Sequence, residues 1–524
     1  MVTDIGEKIK AKIENLEVSE VPYAEKGYHL SITATKGNLL PIVHFFDENL
    51  FYLEDICCVD YVEYLELVYF FNHYQSLWRT KATLQIAPEH PHAPTISHIY
   101  DGAFWYEREI HEFFGVVFEH HPNMAYLFLH DGIEFYPLRK QRIPVSDEDK
   151  KLLNSFKVDV EEDTFFVNMG PQHPSTHGVL RLVLKMDGEY IESAQPILGY
   201  LHRMHEKMAE NRGYLQFLPN PGRMDYLGAM SFNLGYVTTV EKLCSITVPE
   251  RAEFVRVIAV ELNRISSHLL WIGAFLADLG AFTPFLYIFD DREHILDVLE
   301  SITGSRLTYC YFRFGGLYND IDESFIEMTK AFLKRMWGRF KIYEDLITKN
   351  VIFINRTRNI GTIDLERARK YGISGPVVRS ARQPYDIRKV EPYAAYKELD
   401  FDIPSGEQGD NFDRYMVRIR EMEISLRIIE QAIDKMPEGP FRTEKVPKKL
   451  KPPKGDVYHT VETPRGELGV YIVSDESDTP YRMRWRVPSF SNLIIFPHLA
   501  RGTLMADAVS ILGSLDLVIP EIDR

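Results

Sequence analysis

Apolar positions along the chain change their period several times, and each change predicts an element. From Phe412 the residues Met416, Ile419, Met422, Leu426, Ile429, Ile433 and Met436 step by three or four, which predicts a helix over 412–436. Helical spacing also runs through 250–280 and 292–304. Earlier, 63–74 and 78–86 carry Val, Ile, Phe, Tyr and Thr in short apolar runs, as paired strands do. Residues 180–186 and 189–194 flank Asp187-Gly188, which predicts a hairpin closed by a type I′ turn. Up to about residue 140 strands and helices alternate, and a charged stretch, 141–163, then marks a boundary. The apolar run 269–289 is long enough to be mistaken for a membrane span. Its one ionised group, Asp278, and the Thr283-Pro284 step favour a buried core helix that ends before Pro284. A carboxylate in such company needs a partner. The Pro-rich, basic stretch 437–454 reads as an exposed loop, with a charged docking surface as the alternative.

Composition narrows the function classes. At 524 residues the chain has room for two to four domains. A net charge of −16 argues against a nucleic-acid-coating protein. Cys57, Cys58, Cys244 and Cys310 form no CxxC, so a disulfide framework, a zinc knuckle and a self-held iron–sulfur cluster are all unsupported. Phosphate-loop, GxGxxG, HExxH and GxSxG patterns are missing. The opening MVTDIGEKIKAKIENLEV has no apolar signal core, which predicts a chain that stays in the cytoplasm. Seven of the 18 His fall between His90 and His130 at spacings that match no ligand motif, and they read as solvated loop residues. His202, His205 and Glu206 could share a helical face and hold a metal, the weakest of the readings considered.

The informative segment is Asn168-Met-Gly-Pro-Gln-His-Pro-Ser-Thr-His-Gly178, a stiff Pro- and Gly-bounded loop that presents two imidazoles directly before the predicted hairpin. GYLHRMHEK (199–207) and PGRMDY (221–226) follow. With these come WYEREIHEFFG (105–115), His121-Pro122 and YPLRK (136–140). ELNRISSHL, DLGAFTPF, GPVVR, YDIRK, FDIP, GDNFDR, RGELG and the closing GSLDLVIPEIDR complete the series.

In this order the motifs resemble the fused C and D subunits of NADH-quinone oxidoreductase, respiratory complex I, over nearly the whole length. The resemblance implies an α+β chain. An N-terminal α/β domain of the C type (1–145) and a linker (146–163) would precede a mainly helical domain of the D type with a small β portion (164–524), related to the [NiFe]-hydrogenase large subunit. PGRMDY and SLDLVIPEIDR stand where the hydrogenase has its paired metal-binding thiolates, so the resemblance implies a quinone cavity there and no metal or flavin held by this chain. It further implies that His177 and Tyr226 meet the quinone head group and that Asp278 pairs with His177. His173 would belong to the quinone loop, and Arg203 and Arg223 would lie by a partner subunit's terminal [4Fe–4S] cluster. Implied partners are the iron–sulfur subunits of B and I type and a membrane subunit of H type at the quinone entrance. The implied location is peripheral, on the cytoplasmic side of the inner (plasma) membrane. His and Tyr suit this work, because a quinone that takes two electrons also takes two protons. A sister complex fed by ferredoxin or a deazaflavin, and a scaffold without quinone chemistry, are the alternatives. The chain departs from the usual PHIGYLHRGxEK at Ile197, Met204 and His205, and Phe314 replaces the Pro of RPGG.

Overall fold

A computed structural model describes residues 2–130, 132–153, 165–173 and 178–524. His177 and residues 154–164 lie outside the described residues.

The N-terminal part is built on a mixed five-stranded sheet: β1 (Glu17–Glu20), β2 (Leu30–Ala34), β3 (Tyr52–Asp60), β4 (Leu65–Asn72) and β5 (Thr80–Ile86), in the order β1-β2-β5-β4-β3. β4 and β5 pair antiparallel, as the two apolar runs predict, and β2 pairs parallel with β5. Every residue of β3 is buried, because the sheet is covered on both faces. The helix Leu39–Glu48 closes one face, with Phe46 stacked 4.5 Å from Phe71. The other face receives Tyr458 and Tyr471 from near the C-terminus, against Phe70 at 4.2 and 5.3 Å. A short helix, Asp147–Leu153, lies in the segment expected as a linker.

Helices dominate the second part. Glu250–Asp278 is its axis, flanked by Phe282–Thr303 and Asn411–Lys435. The last of these runs within a residue of the expected 412–436, and Asp410 caps it by accepting the Asp413 amide at 2.8 Å. A second sheet, Gly455–Thr463, Gly466–Ser474 and Arg482–Arg486, is antiparallel and buried at almost every position.

Three local expectations need correction. The apolar run 269–289 does hold a core helix that ends before Pro284, at Asp278, but the chain then turns at Gly280 (φ +82°) and Phe282 starts a second helix. Pro284 lies in the first turn of that helix, where its missing amide costs nothing. Beyond the break the run is not core, since Phe282 and Leu286 are each about two-thirds exposed. The predicted hairpin forms, as Arg181–Asp187 and Tyr190–Ile197, but its central pair is Gly188-Glu189. Positive φ falls on Gly188, the first of the two, which is the type II′ arrangement rather than I′. His202 precedes the helix His205–Glu210, so it shares no helical face with His205 and Glu206. Among the described residues no helix is long and apolar enough to cross a membrane.

Candidate functional site

The RMDY segment is held by its own aspartate. Asp225 Oδ1 accepts the amides of Leu227 (3.0 Å) and Gly228 (2.8 Å), and Oδ2 pairs with Arg465. Asn263, on the axial helix, donates to the Leu227 carbonyl at 2.9 Å and accepts the Met230 amide at 3.2 Å. Tyr226 is therefore carried on a turn pinned from both sides, with its ring half-buried. Burial, and then the Asp225 charge, push its phenol above the ordinary value, so it stays a proton donor.

Asp278 is the last residue of the axial helix and is half-buried. A carboxylate there faces the negative end of the helix dipole, so a donor or cation beside it is stabilising. Tyr226 and Asp278 come together on the wall of one cavity of about 280 Å³, with Trp271, Ala274, Asp516 and Leu517. That wall is rigid. Trp271 donates to the Gly513 carbonyl at 2.7 Å, stacks on Phe275 and carries the Arg418 guanidinium 4.1 Å from its ring centre. Helix and tail approach so closely that a Cβ on Gly513 would lie 2.9 Å from Phe275 Cδ2 and 3.6 Å from Asp278 Oδ2.

The imidazole loop ends one residue beyond this wall. His173 is exposed and bridges to Gly178. Gly178 has φ +141°, and a Cβ there would be 3.1 Å from Ile519, the neighbour of the wall residue Val518. Arg203 and Arg223 are exposed, the latter donating to the Pro219 carbonyl at 2.7 Å. With Arg212 they surround the buried His205, whose pKa falls to about 4 through burial and then their charges. Met204 has φ +52°, the left-handed region, where the related motif has Gly.

The metal reading of His202, His205 and Glu206 is not supported. Glu206 is committed to Arg482 (2.6 Å) and Arg484 (3.4 Å), and the His202 ring packs against Phe113 and Phe128. Among the described residues no group of three or more His, Cys, Asp or Glu is placed to hold a metal.

No local pattern distinguishes Asp516 or Arg465, although both lie in motifs that carry the resemblance. Arg465 binds Asp225 from 240 positions away, a separation no local pattern reveals. Chemically, the cavity offers a phenol, two carboxylates and an apolar wall. It is about twice the roughly 150 Å³ that holds a benzene ring, which suits a substituted aromatic or quinonoid ring.

Comparison with known proteins gives two family matches. Residues 278–451 and 444–524 match "Respiratory-chain NADH dehydrogenase, 49 Kd subunit", and residues 32–148 match the corresponding 30 Kd subunit. The C/D 2 subunit of the Aquifex aeolicus NADH-quinone oxidoreductase is 38% identical over 99% of this chain and 98% of its own length. The C/D 1 subunit of the same organism is 42% identical over 82% of this chain and 81% of itself. The D subunit of the Desulfotalea psychrophila enzyme is 60% identical over 69% of this chain and 98% of its own length.

Proposed function

This chain belongs to the fused C/D subunits of NADH-quinone oxidoreductase, and from that membership we propose that its Tyr226–Asp278 cavity receives the quinone head group. The observation that carries the reading is the convergence of Tyr226 and Asp278 on one mainly apolar cavity. In this reading Tyr226 donates a hydrogen bond and a proton to one quinone oxygen, and His177 serves the other. Asp278 favours the charged imidazole of His177 and so helps it to hold its proton. His173 belongs to the same loop.

Electrons arrive from NADH through iron–sulfur subunits of B and I type. The exposed arginines Arg203 and Arg223 face the terminal [4Fe–4S] cluster, whose negative charge they favour. An H-type membrane subunit admits the quinone, and the complex couples its reduction to proton translocation. The chain lies peripherally on the cytoplasmic side of the plasma membrane, with its C-like and D-like parts meeting at 146–163.

The test is made on the assembled complex. Tyr226→Phe keeps the ring and loses the hydroxyl, so quinone reduction should fall roughly 5- to 150-fold, the worth of about 1–3 kcal/mol. Asp278→Asn should move the alkaline limit of quinone reduction to lower pH, because loss of a negative neighbour disfavours imidazolium. Reduction of a hydrophilic acceptor upstream should survive both changes. Unchanged quinone activity in both variants would refute the assignment.

A further inference from the structure

Behind the cavity lies a cluster of charges that the reading above does not use. Arg465 is fully buried, and three buried carboxylates meet its guanidinium: Asp225, Asp516 (3.4 Å) and Glu521 (3.2 Å). Ser267 accepts from the same Arg465 at 3.1 Å, and Ser489 donates to Glu521 through its amide (2.9 Å) and hydroxyl (2.7 Å). The second cation is Arg418, 3.7 Å from Asp516, with the His268–Glu421 pair behind it. Three acids against two guanidiniums leave one negative charge in excess, in a place where an uncompensated charge is costly. Burial, with Asp225 beside it, pushes Glu521 up to about 7.

Asp516 connects this cluster to the cavity. It is 4% exposed, it shares the wall with Tyr226, and its Oδ2 has no hydrogen-bond partner among the described residues. Its backbone is left-handed, φ +56°, a conformation that costs a non-glycine residue energy and that clusters at functional sites. The charge of Arg292 also acts on Tyr226, favouring its ionised form.

We propose that the Asp225–Asp516–Glu521 cluster around Arg465 is a proton store that recharges Tyr226 during quinone reduction, with Asp516 as its outlet. The proposal rests on the cavity being the quinone site. Two electrons from NADH reach the quinone through the partner subunits. The Tyr226 O–H bond breaks and an O–H bond forms on one quinone oxygen, leaving a phenolate, while His177 gives its proton to the other oxygen. The carboxyl O–H of Glu521 then breaks, its proton passes through Asp516, and the phenol re-forms. Water reloads the cluster after quinol leaves.

The experiment uses the assembled complex carrying Glu521→Gln, Asp516→Asn or Tyr226→Phe, with quinone and a hydrophilic acceptor assayed in parallel across pH. Gln copies the neutral acid in shape and carries no exchangeable acid proton. Glu521→Gln and Asp516→Asn should lower kcat for quinone about 10²-fold, the scale of a lost proton donor, with KM unchanged. A store that works only when protonated makes wild-type kcat fall as pH rises through about 7, and Glu521→Gln should abolish that limb. Full kcat with an unchanged pH profile in both carboxylate variants, beside an impaired Tyr226→Phe, overturns the proton store alone. Normal quinone reduction in all three overturns the cavity reading as well. Should the variants fail to assemble, wild-type complex decides: its infrared difference spectrum on quinone reduction should contain a protonated-carboxyl band that shifts in D2O, and absence of that band overturns the proposal.

Discussion

Arg484→Met would test what joins the two parts of the chain. Arg484 is buried and meets three carboxylates: Asp55 at 3.0 Å, Glu109 at 2.6 Å and Glu206 at 3.4 Å. The first two belong to the N-terminal part. In the variant Glu109 keeps Arg524 (2.9 Å) and Glu206 keeps Arg482 (2.6 Å), whereas Asp55 has no other ion pair among the described residues. Burial already raises the Asp55 pKa against the pull of Arg484, and the variant removes that pull. Asp55 is then neutralised rather than left charged. Protonating an aspartate whose unfolded pKa is about 3.9 costs about 4 kcal/mol at pH 7 and about 1.5 kcal/mol at pH 5, and these are upper limits on the loss because the raised wild-type pKa already carries part of the cost. A folded pKa raised above the unfolded one makes stability fall as pH rises, so the penalty should grow with pH. Urea unfolding of wild type and variant at the two pH values, followed by tryptophan fluorescence, measures it. Adding Asp55→Asn should remove most of the pH dependence. An equal loss at both pH values, or a loss below the roughly 1 kcal/mol of an exposed pair, would refute this account of the junction.

Two further expectations concern stability and shape. Asp456 binds Lys81 at 2.7 Å and Lys26 at 3.4 Å, and these cations outweigh burial to hold its pKa at about 2. Its depressed pKa contributes stability above pH 4 that disappears as pH falls through 2, so Asp456→Asn should cost about 2 kcal/mol at pH 7 and almost nothing near pH 2, read from urea midpoints. Gly513→Ala would place a methyl 2.9 Å from Phe275, costing about 1–3 kcal/mol by overpacking and disturbing the cavity wall, so the urea midpoint should fall and KM for quinone should rise.

Local patterns determined a good deal of this protein. The helix Asn411–Lys435 was legible because its apolar period is a property of neighbouring residues. β4 and β5 were legible for the same reason, as was the family, whose motifs are contiguous words. Tertiary structure decided the rest. The end of the core helix before Pro284 was legible, but the exposure of the apolar stretch beyond it was not, because apolar spacing is blind to which stretch is covered. The metal-like triplet dissolved when Glu206 found Arg482 and Arg484, both remote in sequence. Asp516 and Glu521 looked like ordinary acidic residues in a tail until Arg465 and Asp225 gathered around them. A charge acquires its chemistry from what surrounds it after burial, and that company is chosen by long-range packing rather than by neighbours in sequence.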